Sequence, residues 1–251
     1  ITELLNESLL VSSNGTNKIY KVWPTRKSVE LFIDTGLVGL KDLGNCEYDR
    51  QGSLWVNEIE GCSVWRFNLA GKPIRVLGNG QPGFQKGTVP FEAARFSWIY
   101  DLRLGPDGNI YVLDSKNFCV RRINIHQGTV SLVVGTGKPG YSGDGGPAVE
   151  ATLGSNPSEH FDGPFSLSID EEGNIFIGDT YNHVVRMVNH STNLISTIAG
   201  KHQVNPDVRV NSLETDPLNL DLPKICSMDY YNGCLFVPEW KDDLVVLEKK
   251  R

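Results

Sequence analysis

The chain has 251 residues, enough for one large all-β domain or two ordinary ones, and it can bury a stable core without staples. With 26 glycines, 13 prolines, 22% charged residues and no apolar run near the roughly 18–20 residues of a membrane-spanning helix, it reads as turn-rich with no transmembrane segment. A formal net charge of −6 with scattered basic residues offers no cationic stripe, which argues against nucleic acid as a partner.

The first elements are short. Ile1–Leu5 reads as the end of an innermost strand, and Ser8-Leu-Leu-Val-Ser-Ser13 as a second strand. A fuller unit follows: Asn45-Cys-Glu-Tyr-Asp-Arg-Gln-Gly-Ser-Leu-Trp-Val-Asn-Glu58 alternates, turns at a glycine and returns through an apolar strand, which is a β-hairpin. It recurs as Asp101–Asp114, as Ser166–Asp179 and, with one extra turn residue, as Cys226–Glu239. After three of these hairpins comes a third strand, at Cys62–Arg66, Phe118–Arg122 and His183–Met187, and fourth strands follow at Val130–Val134 and Leu194–Ala199. The last unit stops after Leu244–Leu247. Only Glu92–Arg95 and Pro147–Ala151 look like single helical turns.

Each unit is therefore a four-stranded antiparallel meander, and such a sheet needs neighbours to cover its faces. Radial stacking supplies them, so the period predicts a propeller with its apolar second strands, Leu54–Val56, Ile110–Leu113, Ile175–Ile177 and Leu235–Val237, buried. Equivalent turn glycines, Gly52, Gly108 and Gly173, lie 56 and then 65 residues apart, so the connections between units are long.

The stretch G-N-I-F-I-G-D-T-Y-N-H-V-V-R at Gly173–Arg186 resembles the NHL repeat, with Val184 in place of its leucine. The connection G-T-G-K-P-G-Y-S-G-D-G-G-P-A from Gly135 to Ala148 is similar to the linker between repeats of bacterial NHL proteins and of the teneurin NHL region, and Gly78–Phe84 is a weaker copy. The resemblance implies an all-β, NHL-type β-propeller of five visible units and five or six blades, spanning 1–251 as one domain of a longer chain. It leaves function open, because such propellers serve as lyases, RNA binders, adhesion modules and sensor domains.

The acids ending the second strands (Glu58, Asp114, Asp179, Glu239) are matched in spacing by third-strand arginines (Arg66, Arg122, Arg186), which predicts repeated ionic braces between blades. Function is better sought in what differs between units: the connections into the innermost strands and the loops between second and third strands, all on one rim around the expected channel. These carry Arg95, Trp98, Tyr100, His160, Asp162 and Phe165, and Glu60, Lys116, Tyr181, Asn182, His183 and Trp240. Aromatics mixed with single charges suit a protein or saccharide ligand.

The metal site of the family's peptidyl-hydroxyglycine lyases is not carried over, because Cys62, Phe118 and Asp243 stand where His183 has its equivalents. Ser142-Gly-Asp-Gly-Gly146 lacks the acids of an EF-hand, so no cofactor is expected, although the enzymatic alternative would allow one calcium. The five cysteines form no CxxC pair and read as core thiols without disulfides. No leader pattern precedes Ile1, so a targeting segment is expected to have been removed or to lie elsewhere. Sequons at Asn6, Asn14 and Asn189 are close to the roughly two that chance allows, and an extracellular or cell-envelope location is the expectation. The resulting expectation is a non-catalytic binding module, with a channel-mouth hydrolase or lyase as the alternative.

Overall fold

In two of the hairpins an acid before the turn organises the reversal. Asp49 accepts the backbone N–H groups of Gln51 and Ser53 at 2.8 and 3.0 Å, and Asp170 accepts those of Glu172 and Asn174 at 3.1 and 2.8 Å. An Asx-type turn satisfies these amides locally and reverses the chain in register. In the last hairpin, Asn232 and Gly233 both take positive φ, 50° and 82°, which suits a tight two-residue connection.

The computed structural model describes residues 2–4, 8–49, 51–155, 163–202, 216–222, 224–238 and 244–248. Its strands form five antiparallel sheets. The first joins β1 (Thr2–Leu4), β2 (Ser8–Ser13), β3 (Lys18–Trp23) and β4 (Ser28–Asp34); the second joins β5 (Leu43–Tyr48), β6 (Ser53–Glu58), β7 (Ser63–Asn68) and β8 (Pro73–Leu77). The third contains β10 (Ile99–Leu104), β11 (Ile110–Asp114), β12 (Cys119–Asn124) and β13 (Thr129–Val134), extended at its edge by the short β9 (Val89–Pro90). The fourth runs β14 (Ser166–Ile169), β15 (Ile175–Asp179), β16 (Val184–Val188) and β17 (Ile195–Gly200). The fifth has three described strands, β18 (Asp229–Tyr231), β19 (Cys234–Pro238) and β20 (Leu244–Glu248). This is an all-β propeller of five blades, and its described helical pieces are short 3-10 turns.

Two compact units emerge from the contacts: Ile1–Leu104 with Gly108–Asp114 and Arg122–Ser131, and Gly105–Asp107 with Ser115–Arg121 and Leu132–Arg251. In the first unit, one core gathers Leu10, Ile19, Leu43, Leu54, Val56 and Phe67, and another gathers Trp55, Val64, Leu77, Phe96, Ile99 and Val112. Leu54 and Val56 point to one core and Trp55 to the other, so β6 is buried on both faces. That explains its unbroken apolar run, in contrast to the alternation of a half-exposed strand. In the second unit Phe176, Val185, Leu222, Ile225, Leu235 and Val237 form a core.

A backbone device repeats just before the third strand of the first four sheets. Asn17, Cys62, Phe118 and His183 all adopt left-handed φ, between 49° and 61°. The carbonyls of Cys62, Phe118 and His183 are then approached by Gly78, Gly135 and Gly200, each at the end of a fourth strand or just after it; a Cβ at any of them would overlap that oxygen, and each has φ near 90°. The first blade uses a variant in which Thr35 donates its N–H and its hydroxyl to the Asn17 carbonyl at 3.0 and 2.7 Å.

All five cysteines are free thiols, with Cys46, Cys62 and Cys119 buried. Burial pushes the Cys46 thiol up to about 11. The expected single turns occur at Phe91–Ala93 and Ala148–Glu150, and strands β3, β4, β8 and β9 add to those expected.

Gly135→Ala should cost about 2–4 kcal/mol in a urea melt, because both the positive φ and the Phe118 carbonyl oppose it. Gly87→Ala, with open space around it and no left-handed φ, should change stability by less than about 0.5 kcal/mol.

Candidate functional site

Three of the acids that end the second strands share a backbone N–H as partner. Glu58 accepts the N–H of Lys41 at 2.8 Å, Asp114 that of Ser97 at 2.6 Å and Asp179 that of Gly154 at 2.8 Å. Lys41 and Ser97 come just before the innermost strand of the same blade, and Gly154 lies in the connection leading to one. Each acid therefore clamps the connection that feeds its own sheet, and a charged acceptor strengthens the hydrogen bond. Asp179 also accepts from Asn182 Nδ2 at 2.9 Å, and burial nevertheless pushes its carboxyl up to about 6.

The expected ionic brace needs correction in the second blade, where Arg66 turns to Asp49, whereas in the fourth the Arg186 charge acts on Asp179 while its hydrogen bonds go to the connection. Counting from the left-handed residue, Arg186 and Arg121 are equivalent to Trp65, whereas Arg66 and Arg122 are equivalent to Met187. Spacing alone thus matches the fourth blade one residue out of step, and one step along a strand changes the face. Arg66 donates to Ser53 Oγ at 2.9 Å, lies 3.6 Å from Asp49 and covers the Trp55 ring, while Glu58 takes the Ser63 hydroxyl at 2.6 Å. Glu239 lies outside the described residues.

Arg186 is fully buried and works as a pin for the glycine-rich connection. Its guanidinium donates to the carbonyls of Thr152 and Ser142, both at 3.0 Å, and to Asp144 Oδ1 at 2.6 Å. The planar fork of an arginine suits this arrangement, since a lysine could not reach the three acceptors at once. Asp144, the acid of the candidate calcium loop, thus faces a guanidinium, whose charge opposes a cation there. Among the described residues no three His, Cys, Asp or Glu side chains converge.

Pinned in this way, the connection presents Tyr141. Its ring lies over the Arg186 guanidinium at 5.3 Å, its hydroxyl shares a hydrogen bond with Thr197 Oγ1 at 2.9 Å, and it stacks on His202 with centroids 4.3 Å apart. Around the stack is an open hollow of about 360 Å³ lined by Pro139, Gly140, Tyr141, Gly154, Ser155, Asn182 and His202. Sequence reasoning missed Tyr141 and His202. The available signal was the lone aromatic in the Pro-Gly-Tyr step, matched by Phe84 in the Pro-Gly-Phe step of the weaker copy, where it is 37% exposed.

The residues singled out from sequence fall into several places. In the first unit Arg95 is exposed and bonds Asn79 Oδ1 at 2.9 Å, Tyr100 is half-buried, and Trp98 is buried with φ 56°. In the second, Phe165 is buried and meets half-buried Tyr181 edge to face at 5.5 Å. Asn182 is buried, and its amide nitrogen already serves the carbonyls of Gly140 and Gly154 besides Asp179. His183 is half-buried, at the left-handed position. His160, Asp162 and Trp240 lie outside the described residues. Of the described members of the set, Asn182 alone borders the hollow.

No family model matches the chain. Two curated proteins are similar: Protein SUPPRESSOR OF QUENCHING 1, chloroplastic, from Arabidopsis thaliana, 26% identical across 72% of this chain, and NHL repeat-containing protein 2 from Bos taurus, 25% identical across 61%. The repeats are similar to those of the NHL type. The chain spans 17% and 23% of the length of these two proteins. Solved structures share the fold: a structural-genomics protein from Bacteroides thetaiotaomicron has TM-score 0.73 and 17% identity, covering 97% of this chain and 57% of that one. An auxiliary nutrient-binding protein from the same organism (TM-score 0.58, 14% identity, 92% and 53%) and virginiamycin B lyase from Staphylococcus aureus (0.54, 12%, 97% and 67%) are further neighbours.

Two measurements check the pin and the clamp of the fourth NHL-like repeat. Arg186→Leu should cost about 2–4 kcal/mol, because Asp144 and two carbonyls lose a buried donor. Arg66→Ala, part-exposed and 3.6 Å from its acid, should cost no more than about 1 kcal/mol. For Asp179, the folded chain holds its proton up to about pH 6, whereas the unfolded chain releases it near 3.8. The folded state therefore binds more protons between those values, so stability falls as pH rises from about 4 to about 6, by up to roughly 3 kcal/mol. Asp179→Asn should flatten that part of the profile.

Proposed function

We propose that this NHL-like propeller is a non-catalytic binding module and that the Tyr141–His202 hollow takes a saccharide. The observation that carries the reading is the aromatic stack itself. It is held from behind by a buried arginine, open in front, and flanked by the Ser155 hydroxyl and by glycine backbone at Gly140 and Gly154. An apolar ring face beside a few fixed polar groups is the pattern of small-ligand sites, and it matches a sugar, whose C–H face packs on a ring while its hydroxyls bond at the edge. The pin adds preorganisation, since ordering of the Tyr141 connection precedes binding and need not be supplied by the ligand.

An extracellular or cell-envelope setting belongs to this proposal, as does membership of a longer chain. The nutrient-binding neighbour is in keeping with it at the level of fold. No described helix is long and apolar enough to cross a membrane.

A glycan array followed by calorimetry tests the reading. Tyr141→Ala and His202→Ala should each weaken the selected glycan by ~1–3 kcal/mol, with His202→Ala leaving the melting temperature nearly unchanged because its side chain is exposed. Binding that survives both substitutions would move the site elsewhere. Cleavage of the bound glycan into products would favour the hydrolase or lyase alternative.

A further inference from the structure

We infer that the connection leading into β10 holds a second binding site, which takes an acidic saccharide on the Phe84 ring and the Arg95 guanidinium. This connection is built as the Tyr141 connection is. Gly83 donates its N–H to the Phe96 carbonyl at 3.1 Å, as Gly140 does to the Leu153 carbonyl at 3.2 Å. Each connection contains one 3-10 turn, Phe91–Ala93 or Ala148–Glu150, and each ends on a residue, Ser97 or Gly154, that donates its N–H to a second-strand acid. The two stretches align without a gap from Gly78 and Gly135 to Ser97 and Gly154, which makes Phe84 the counterpart of Tyr141 and Arg95 that of Thr152.

The difference between the two lies in charge. Thr152 shares a hydrogen bond with Ser142 through its hydroxyl at 2.8 Å, whereas Arg95 brings an exposed cation to the same place. Its stem packs on Gly83, where a Cβ would lie 3.0 Å from the arginine Cδ and 3.1 Å from its Cβ. Its backbone N–H donates to Gln85 Oε1 at 2.9 Å, and Gln85 Nε2 donates in turn to the Ala93 carbonyl. Arg95 Nη1 donates to Asn79 Oδ1 at 2.9 Å; the amide is neutral, so it orients the fork without neutralising it, in contrast to Glu92, which meets Arg75 at 2.9 Å. A planar guanidinium fork matches a carboxylate, and a stem held in place lowers the cost of ordering it. Phe84, next along the chain from the glycine under that stem, is 37% exposed. A uronate carries its carboxylate one bond from the C–H face of its ring, so the face can pack on Phe84 while the carboxylate takes Arg95. The saccharide class rests on the reading of the Tyr141 hollow; the acidic preference rests on Arg95.

Calorimetry on the full chain with an oligogalacturonate, and with its methyl ester as the same rings without the charge, tests the inference. The acid form should bind, more weakly as salt is raised, and the ester should bind about tenfold more weakly or worse. Phe84→Ala and Arg95→Gln should each weaken the acid form about tenfold or more, and Arg95→Lys should restore only part of the loss because a lysine has no fork. Both side chains are exposed, so the variants should melt close to the parent. Tyr141→Ala should leave oligogalacturonate binding intact, just as Phe84→Ala should spare the glycan selected at the Tyr141 hollow. An acid form that does not bind at millimolar concentration, an ester that binds as tightly, affinity undiminished by Phe84→Ala or Arg95→Gln, or loss of the acid form in Tyr141→Ala would each overturn the inference. If the Tyr141 hollow keeps its glycan in any of these cases, this second site fails alone; if the chain binds no saccharide of either kind, the reading of the hollow fails with it.

Discussion

The left-handed residue that opens the third strand is the constraint on which much of the rest depends. Placing a non-glycine residue there costs about 1–2 kcal/mol, yet Asn17, Cys62, Phe118 and His183 all accept it. Its persistence has a structural reason. The reversal ends the second strand at its acid, starts the third in register, and leaves a carbonyl against which Gly78, Gly135 or Gly200 packs without a Cβ. One backbone conformation thereby fixes both the strand order inside a sheet and the point at which the connection departs toward the next. The constraint is conformational and steric, which is why residues as different as cysteine, phenylalanine and histidine occupy it.

Much of this is legible in the sequence because it repeats. The Asp or Asn near each turn, the turn glycine and the apolar run of the second strand recur with enough fidelity to give β5–β6, β10–β11 and β14–β15 with small boundary errors. Strands β4 and β8 are less legible because they are outermost: Val29, Leu31, Ile74 and Val76 are exposed, so no buried stripe marks them. The acid and arginine columns stand out as columns, yet spacing does not say which face of the strand each arginine takes. A one-residue offset between Arg122 and Arg186 is invisible to spacing alone, and only the left-handed residue supplies the origin from which the faces can be counted.

The site is harder to read for a related reason. A search for residues that differ between units is sound when ligand contacts lie in variable loops, but several such residues turn out to be internal. Asn182 spends its amide on three acceptors, and Trp98 and Phe165 are buried. Tyr141 is inconspicuous because it sits in a connection whose glycines dominate the pattern, and His202 because nothing in its local sequence marks a partner so distant along the chain. The stack between them is a tertiary fact, created when Arg186 draws Ser142, Asp144 and Thr152 onto the fourth sheet.

Arg186 also separates what the repeat needs from what one unit has made of it. The equivalent positions hold Trp65 in the second blade and Arg121 in the third, so a large side chain is required at that place, while its charge is optional. Trp65 turns its indole N–H to the Ser63 hydroxyl at 2.8 Å and stacks near Phe67, which stays within one sheet. Arg186 instead reaches three acceptors in a single connection and accepts the desolvation of a buried charge, a cost that only several charge-assisted bonds can offset. A position that merely filled space would not carry that cost. Its effect is to hold 142–152 rigidly enough for Tyr141 to stand at one orientation, and a ring held in one orientation can serve as a binding surface where a freely turning one would not.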